Sequence, residues 1–304
     1  MFKRIYQLFK ISRKLGTSGA IDTVNEIYKV PIIIKLFFDL ISIGSDKNFI
    51  NNTKSPGEKL CNALQEMGTT FIKLGQFLAT RPDIIGEELA NDLVKLQDKL
   101  PPFDISKAKK IIKEELGEKS FQNIENLSEP IAAASIAQVH IANINIKDEK
   151  KEVAIKILRP EIERLFNEEL DALMLLAYII ENAVVKSKRL KLVEVVHLLK
   201  EITNMEMDLR FEASAANELY ENTKSDLGFN VPKIYWNYTS KRILTLDKVN
   251  GISIREQKIL EEKGINLKGL AENVIQSFLK QAIRDGFFHG DMHQGNLFVD
   301  KKGN

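Results

Sequence analysis

The chain has 304 residues, 44% of them apolar, enough to bury a substantial core and to suggest about two domains. Charged residues make up 28% yet balance to a net charge of +2, so no strong overall field selects nucleic acid as a partner. The single cysteine, Cys61, excludes an internal disulfide, opens no metal or redox pair, and fits a reducing compartment.

Residues 1–16 carry Lys3, Arg4, Lys10, Arg13 and Lys14 and no acid, with Phe2, Ile5, Leu8, Phe9 and Ile11 interleaved at near-helical spacing. This predicts a basic amphipathic helix, suited to an anionic membrane surface or to organelle targeting; an ordinary helix packed on the domain competes with that reading. The longest apolar stretch, 30–43, is interrupted by Lys35 and Asp39 and is too short to span a bilayer. The sequence shows no secretory signal. Residues 1–50 read as helical and somewhat detached, and the polar, Pro/Gly-containing stretch 51–57 reads as a linker.

From residue 58 to about 116 the periodicity is helical, with Leu60, Leu64, Met67, Phe71, Leu74 and Leu78 forming an apolar stripe. Arg81-Pro82-Asp83 stops one helix, and Pro101-Pro102 precedes another over 105–116, ended by Gly117. After Ser128 the character changes. Segments 130–142 and 153–158 read as strands joined by a charged turn at 147–151. Long helices are predicted over 160–185 and 192–222, short strands over 233–238 and 242–249, and a helix over 267–285. The implied divisions are 1–55, 56–128, 129–250 and 251–304.

The most informative stretch is His289-Gly290-Asp291-Met292-His293-Gln294-Gly295-Asn296, with an aspartate five positions ahead of an asparagine. Kinase-type phosphotransferases build their catalytic loop this way: the aspartate accepts a proton from the attacking hydroxyl, and the asparagine offers an oxygen to phosphate-bound magnesium. Two other readings stand beside it, a His-x-Asp-x-His metal cluster and a polar loop without chemistry.

Val153-Ala154-Ile155-Lys156 lies on a predicted strand whose alternation puts Ala154 and Lys156 on one face, a small residue beside a base and a lysine toward phosphate. Such a lysine needs an acidic partner; in Glu206-Met207-Asp208-Leu209-Arg210-Phe211-Glu212, read as one helix, Glu212 is the candidate. Residues 131–139 (Ile131, Ala132, Ala133, Ala134, Ser135, Ile136, Ala137, Gln138, Val139) occupy the place of a glycine-rich phosphate loop without a glycine. A tight buried hairpin is the alternative for that segment.

Together and in this order, Lys73-x-Gly75-Gln76, the alanine-rich loop, Val153 to Lys156, Glu206-x-Asp208 and the octapeptide resemble the UbiB family of atypical kinases, associated with ubiquinone biosynthesis. The resemblance implies an α+β fold: a protein-kinase-like small lobe with a helical N-terminal extension, leading into an incomplete, mostly helical large lobe. It further implies that Lys73 and Gln76 fold over the site, with Glu206 and Asp208 as their polar partners. ATP and Mg2+ are the implied cofactors. Lys156 would meet phosphates, Asn296 magnesium, and the backbone of Asp247 and Val249 the adenine edge, with Asp291 as base. A second magnesium-binding aspartate, in Asp-Phe-Gly, is expected roughly 10–20 residues after Asn296; residues 301–304 read as the turn of the intervening hairpin.

The implied partners are nucleotide, an anionic membrane surface, quinone-like lipids and ubiquinone-biosynthesis proteins, with no nucleic acid. The implied location is the cytoplasmic face of a bacterial inner membrane, or the mitochondrial inner membrane or matrix. An aminoglycoside- or choline-type small-molecule phosphotransferase is one rival reading. A catalytically dead nucleotide- or lipid-binding pseudokinase is the other.

Overall fold

The computed structural model describes residues 2–22, 25, 32–42, 55–96, 100–146, 149–183 and 185–304. In chain order its helices are α1 (Phe2–Thr17), α2 (Ile32–Ile41), α3 (Pro56–Met67), α4 (Thr69–Ala79), α5 (Pro82–Ile85), α6 (Glu87–Leu93), α7 (Ile105–Gln122), α8 (Ile162–Ala183), α9 (Leu192–Glu206), α10 (Leu209–Thr223), α11 (Gln257–Glu262) and α12 (Leu267–Leu279). The strands are β1 (Ile124–Glu125), β2 (Ala132–Ala133), β3 (Ala137–Ile146), β4 (Glu149–Leu158), β5 (Ile243–Asp247), β6 (Ile252–Ser253) and β7 (Phe298–Val299). The predicted linker residues 51–54, the turn residues 147–148 and the side chains of Phe2, Lys3, Arg4, Ile5 and Leu8 lie outside the described ones.

The chain divides into two units, the first made of Met1–Pro101, Ala133–Ile136 and Arg159–Met205. Its helices follow their sequence signals. Ser55 caps α3 by accepting from Glu58 N at 3.2 Å, Pro56 starts it, and Gly68 at φ +100° turns the chain into α4. The predicted stripe is the buried face of α3 and α4, with Leu60, Leu64, Met67 and Phe71 in the core. Helix α1 does not stand apart: it packs along α8, with Ile11 and Ser12 buried. Lys14 Nζ donates to Met67 O at 3.0 Å and lies 3.6 Å from the buried carboxylate of Glu169. Gly16 lets α1 approach α2, because a Cβ there would meet Phe38 O at 2.9 Å.

The second unit holds the sheet, an antiparallel run in the order β1-β3-β4-β5, with β2 paired to β3. Ile144, Val153, Ile155, Ile157 and Ile243 point into one core against Ile111 and Ile112 of α7. The predicted strand 130–142 is really two strands, broken over Ala134 to Ile136, and β3 runs on to Ile146 despite Asn143 and Asn145. Of the predicted strand 233–238 only a bridge from Ile234 to Leu246 forms; Trp236–Tyr238 is a 3-10 turn. Helix α7 breaks at Gly117 as expected, at φ +77°, but resumes to Gln122.

The largest departure concerns the helix predicted over 192–222. It is two helices, because Asp208 leaves helical geometry (φ −120°, ψ 94°) and caps α10, accepting from Arg210 N at 3.1 Å. An aspartate rewards that break by satisfying an orphan amide. Glu206 therefore closes α9 and Asp208 opens α10; they do not share a helix. Helix α12 runs into a π-helical turn, Lys280–Asp285, closed by Gly286 in the left-handed region. β7, two residues after the octapeptide, pairs antiparallel with β6, and Gly251 allows the approach: a Cβ there would meet Val299 O at 2.9 Å.

Candidate active site

Lys156 sits on β4 opposite Val139 of β3 and Leu244 of β5. The alternation predicted for this strand holds: Val153, Ile155 and Ile157 are fully buried, while Ala154 and Lys156 share the other, half-buried face. Lys156 Nζ donates to both carboxylate oxygens of Glu212, at 2.9 and 2.7 Å. Glu212 lies in the first turn of α10, one turn after the cap at Asp208. Asp208 is itself engaged by Arg210, at 2.9 and 2.7 Å, and that guanidinium holds its carboxyl below the usual carboxylate range.

The octapeptide folds on its own polar groups. Asp291 N donates to His289 Nδ1 at 3.1 Å, and Gly295 N to His293 Nδ1 at 2.9 Å. Both imidazoles thus present Nδ1 as an acceptor to the turn. His293 Nε2 lies 3.6 Å from Asp291 Oδ2. Among the described residues no group of three or more His, Cys, Asp or Glu is placed to hold a metal, so the His-x-Asp-x-His ligand reading finds no support here. Asn296 Nδ2 donates to Asp291 O at 2.9 Å and to Asp291 Oδ2 at 3.1 Å, so the five-residue spacing brings the two side chains together. The Asp291 carboxylate is otherwise open to solvent, its side chain 70% exposed. Asp300, the carboxylate after Asn296, is spent in a turn: Oδ1 accepts from Lys302 N at 2.8 Å and Asn304 N at 2.9 Å.

At the end of β5, Asp247 accepts from Tyr235 Oη at 2.5 Å and Lys233 N at 3.3 Å, which fixes the strand end that carries on to the exposed Val249. Burial first, then this carboxylate, pushes the Tyr235 phenol up.

The alanine-rich segment is divided between the units. In the second, Ile131 and Ala132 are exposed and Ile131 N donates to Val139 O at 2.8 Å, which closes the hairpin. Ala137 is buried, and the fully buried Gln138 side chain is engaged inward: Oε1 accepts from Phe103 N at 2.9 Å, and Nε2 donates to Phe103 O at 3.1 Å and to His140 Nε2 at 2.8 Å. The glutamine amide is thus committed to the protein interior, and Gln138 and Val139 pair in the ladder with Ile157 and Lys156.

In the first unit, Ala133 and Ala134 are half-buried and Ser135 and Ile136 buried. Arg159 holds this segment, donating to Ala134 O at 3.1 and 2.8 Å and to Pro101 O at 2.9 Å, while its backbone N donates to Ile136 O at 2.8 Å. Lys73 and Gln76 are half-buried on α4 of the same unit. Gly75 between them is a packing residue, since a Cβ there would meet Leu96 Cδ1 at 2.3 Å and Leu64 Cδ1 at 2.8 Å. Sequence reasoning missed Arg159, Tyr235 and Gln281. Gln281 is fully buried in the π turn, and its Oε1 accepts from His289 N at 3.2 Å. Only long-range geometry reveals them.

A strand lysine paired to a helix glutamate, followed after β5 by a loop joining aspartate to asparagine, is the arrangement of a kinase-like fold. Residues 95–304 match the model of the ABC1 atypical kinase-like domain, and the chain belongs to that family. It is 36% identical to the probable protein kinase UbiB of Marinobacter nauticus over 98% of the chain and 53% of that protein. It is 38% identical to the protein of the same name from Pseudomonas aeruginosa over 81% of the chain and 46% of that protein. The chain spans about half the length of the curated relatives it matches. A solved structure, the Rv3197–erythromycin complex from Mycobacterium tuberculosis, aligns over 79% of this chain and 60% of that one, with 26% identity and a TM-score of 0.49.

Proposed function

We propose that this chain carries the nucleotide-handling part of an atypical kinase or ATPase that supports ubiquinone biosynthesis. The observation that carries the reading is the assembled Lys156–Glu212 pair in the same unit as the Asp291–Asn296 loop. In that reading Lys156 binds α- and β-phosphate oxygens, and Glu212 holds its ammonium in place. The backbone at Asp247 and Val249 takes the adenine edge. Asp291, solvent-open and held by Asn296, accepts the proton of the attacking hydroxyl or water. Magnesium fits this loop through Asn296: with Nδ2 committed to Asp291, Oδ1 is the hard oxygen that remains, and phosphate oxygens and water suit the rest of its shell. Bound there, the cation would neutralise charge developing on the transferred phosphoryl group.

Lys73 and Gln76 of the extension, with Glu206 and Asp208 as their polar partners, belong to the same proposal. The partners in this reading are an anionic membrane surface and quinone-like lipids, on the cytoplasmic side of a bacterial inner membrane, in company with other ubiquinone-biosynthesis proteins. Their support is the exposed mixture on α1 (Tyr6, Phe9, Lys10, Arg13) and the exposed row Ile32, Leu36 and Leu40 on α2. No helix of the described residues is long and apolar enough to cross a membrane. The test is titration of the folded chain with ADP and with ATP-Mg2+, beside phosphate release by wild type and Asp291→Asn. Binding that Lys156→Ala weakens, with turnover that Asp291→Asn removes, is the expected result; a wild-type chain that binds neither nucleotide would refute the reading.

A further inference from the structure

The π turn Lys280–Asp285 reaches in two directions. Toward the octapeptide, Gln281 O accepts from Phe287 N at 3.2 Å, and Gln281 Oε1 accepts from His289 N at 3.2 Å, so one buried residue sets the path into the Asp291 loop. Toward α10, Arg284 grips the far end of the helix that carries Glu212. Its Nη1 and Nη2 donate to Asp226 Oδ1 and Oδ2 at 2.8 and 2.9 Å, and Nη2 also donates to Asn222 O at 3.2 Å. The remaining edge of the guanidinium donates to Asp285 at 2.6 and 2.8 Å. Both carboxylates are nearly buried, with side chains 11% exposed, and each is held below the usual carboxylate range by this one cation. Two-oxygen pairing on both edges of a planar guanidinium fixes its orientation as a lysine cannot.

We propose that Arg284 and Asp226 are positioning residues, a strut that keys the C-terminal end of α10, the helix whose first turn carries Glu212, to the Asp291 loop through the π turn. π-helical turns inside helices are frequent at functional positions because the extra residue re-aims side chains. Here the turn lets Gln281 face the loop while Arg284 faces α10. A displacement at either end is then carried to the other, so the lysine–glutamate pair and the Asp291–Asn296 pair hold a common register. The inference deepens the nucleotide-site reading, and its effect on ligand rests on that reading; the strut itself does not.

The test uses the 304-residue chain with Arg284→Lys, which keeps the charge and loses the two-edged pairing, and Asp226→Asn, which keeps the shape and loses the charge. Amide exchange is followed by peptide, and ADP is titrated. Exchange over 209–223 and over 287–297 should rise together, by at least about tenfold in each variant. ADP affinity should fall in both variants, non-additively with Glu212→Gln. Faster exchange confined to 280–286 with the other two segments unchanged would overturn the strut, as would ADP affinity equal to wild type in both variants. If wild type itself binds no ADP, the nucleotide reading fails while the exchange comparison still decides the strut.

Discussion

Lys156 Nζ and the two oxygens of Glu212 meet at 2.9 and 2.7 Å although 56 positions separate the residues. The pair is not buried: the side chains are 28% and 49% exposed, so its contribution to folding is small, within about 1 kcal/mol. Under the proposed function, a pair that adds little to stability yet is held by a strand on one side and a capped helix on the other serves nucleotide rather than the fold. Lys156→Ala should leave the thermal midpoint nearly unchanged and weaken ADP or ATP binding at least about tenfold. Glu212→Gln should weaken it less, since the lysine charge survives. Calorimetric titration of folded variants decides; affinity indifferent to Lys156→Ala removes the strand assignment.

That pair shows what was legible in the sequence. Alternation on β4 and the spacing of Asp291 and Asn296 are local rules, and both gave the observed geometry. Glu212 is legible because the lysine needs an acid and the helix predicted between it and Asp291 carries one. The break at Asp208 was missed because helical periodicity continues across it, and only the cap geometry shows that the backbone turns there. Arg159, Arg284 and Gln281 were invisible for a different reason. Arg159 and Arg284 bind partners far along the chain, several of them backbone carbonyls, and Gln281 accepts from the backbone N–H of His289 across the π turn; backbone groups leave no mark in the sequence.

His140 gives the chain an acid-sensitive point. It is fully buried on β3, its Nδ1 lies 2.7 Å from Ser128 O, and its Nε2 takes the Gln138 amide proton at 2.8 Å. That pattern requires the neutral ring with its proton on Nδ1, and burial lowers its pKa from the ordinary 6.5. A histidine depressed in the folded state binds fewer protons there than in the unfolded chain. Its stabilising effect is present above about pH 6.5 and is lost as pH falls from there toward the lowered value. Urea midpoints should therefore decline over that window, and His140→Asn, though less stable at neutral pH, should decline less. Parallel declines in the two proteins would show that other groups set the acid response.

Gly75 separates two residues expected to act at the site, yet its own role is close packing. Alanine gains about 1 kcal/mol over glycine inside a helix, but overpacking a filled site costs about 1–3 kcal/mol. Because a Cβ would lie 2.3 and 2.8 Å from the buried Leu96 and Leu64 methyls, the second effect should win. Gly75→Ala is expected to lower stability by about 1 kcal/mol in a denaturant melt. A neutral or stabilising result would mean that the leucines move aside freely, and that the close approach of α4 to its neighbours is not what the glycine serves.

The N-terminal helices make the last case, where structure changes the experiment the sequence suggests. Deleting residues 1–16 would confound two effects, because Ile11 is core and Lys14 bridges Met67 O to buried Glu169. Membrane attraction has to be tested on the outer face alone. There Tyr6 is 66% and Phe9 48% exposed beside exposed Lys10 and Arg13, and on α2 Ile32, Leu36 and Leu40 are 74%, 60% and 68% exposed at one-turn intervals. Apolar rows with adjacent cations bind anionic bilayers by burial plus charge, each basic residue near the surface contributing about 1 kcal/mol, screened as salt rises. Lys10→Glu with Arg13→Glu should cut sedimentation with phosphatidylserine-containing vesicles most strongly at low salt, and Leu36→Ser with Leu40→Ser should cut it at every salt concentration. Neither pair touches the buried face, so the thermal midpoint should hold. Sedimentation equal to wild type in both double variants would leave α1 and α2 as ordinary helices packed on the domain, and the proposed membrane face would go with it.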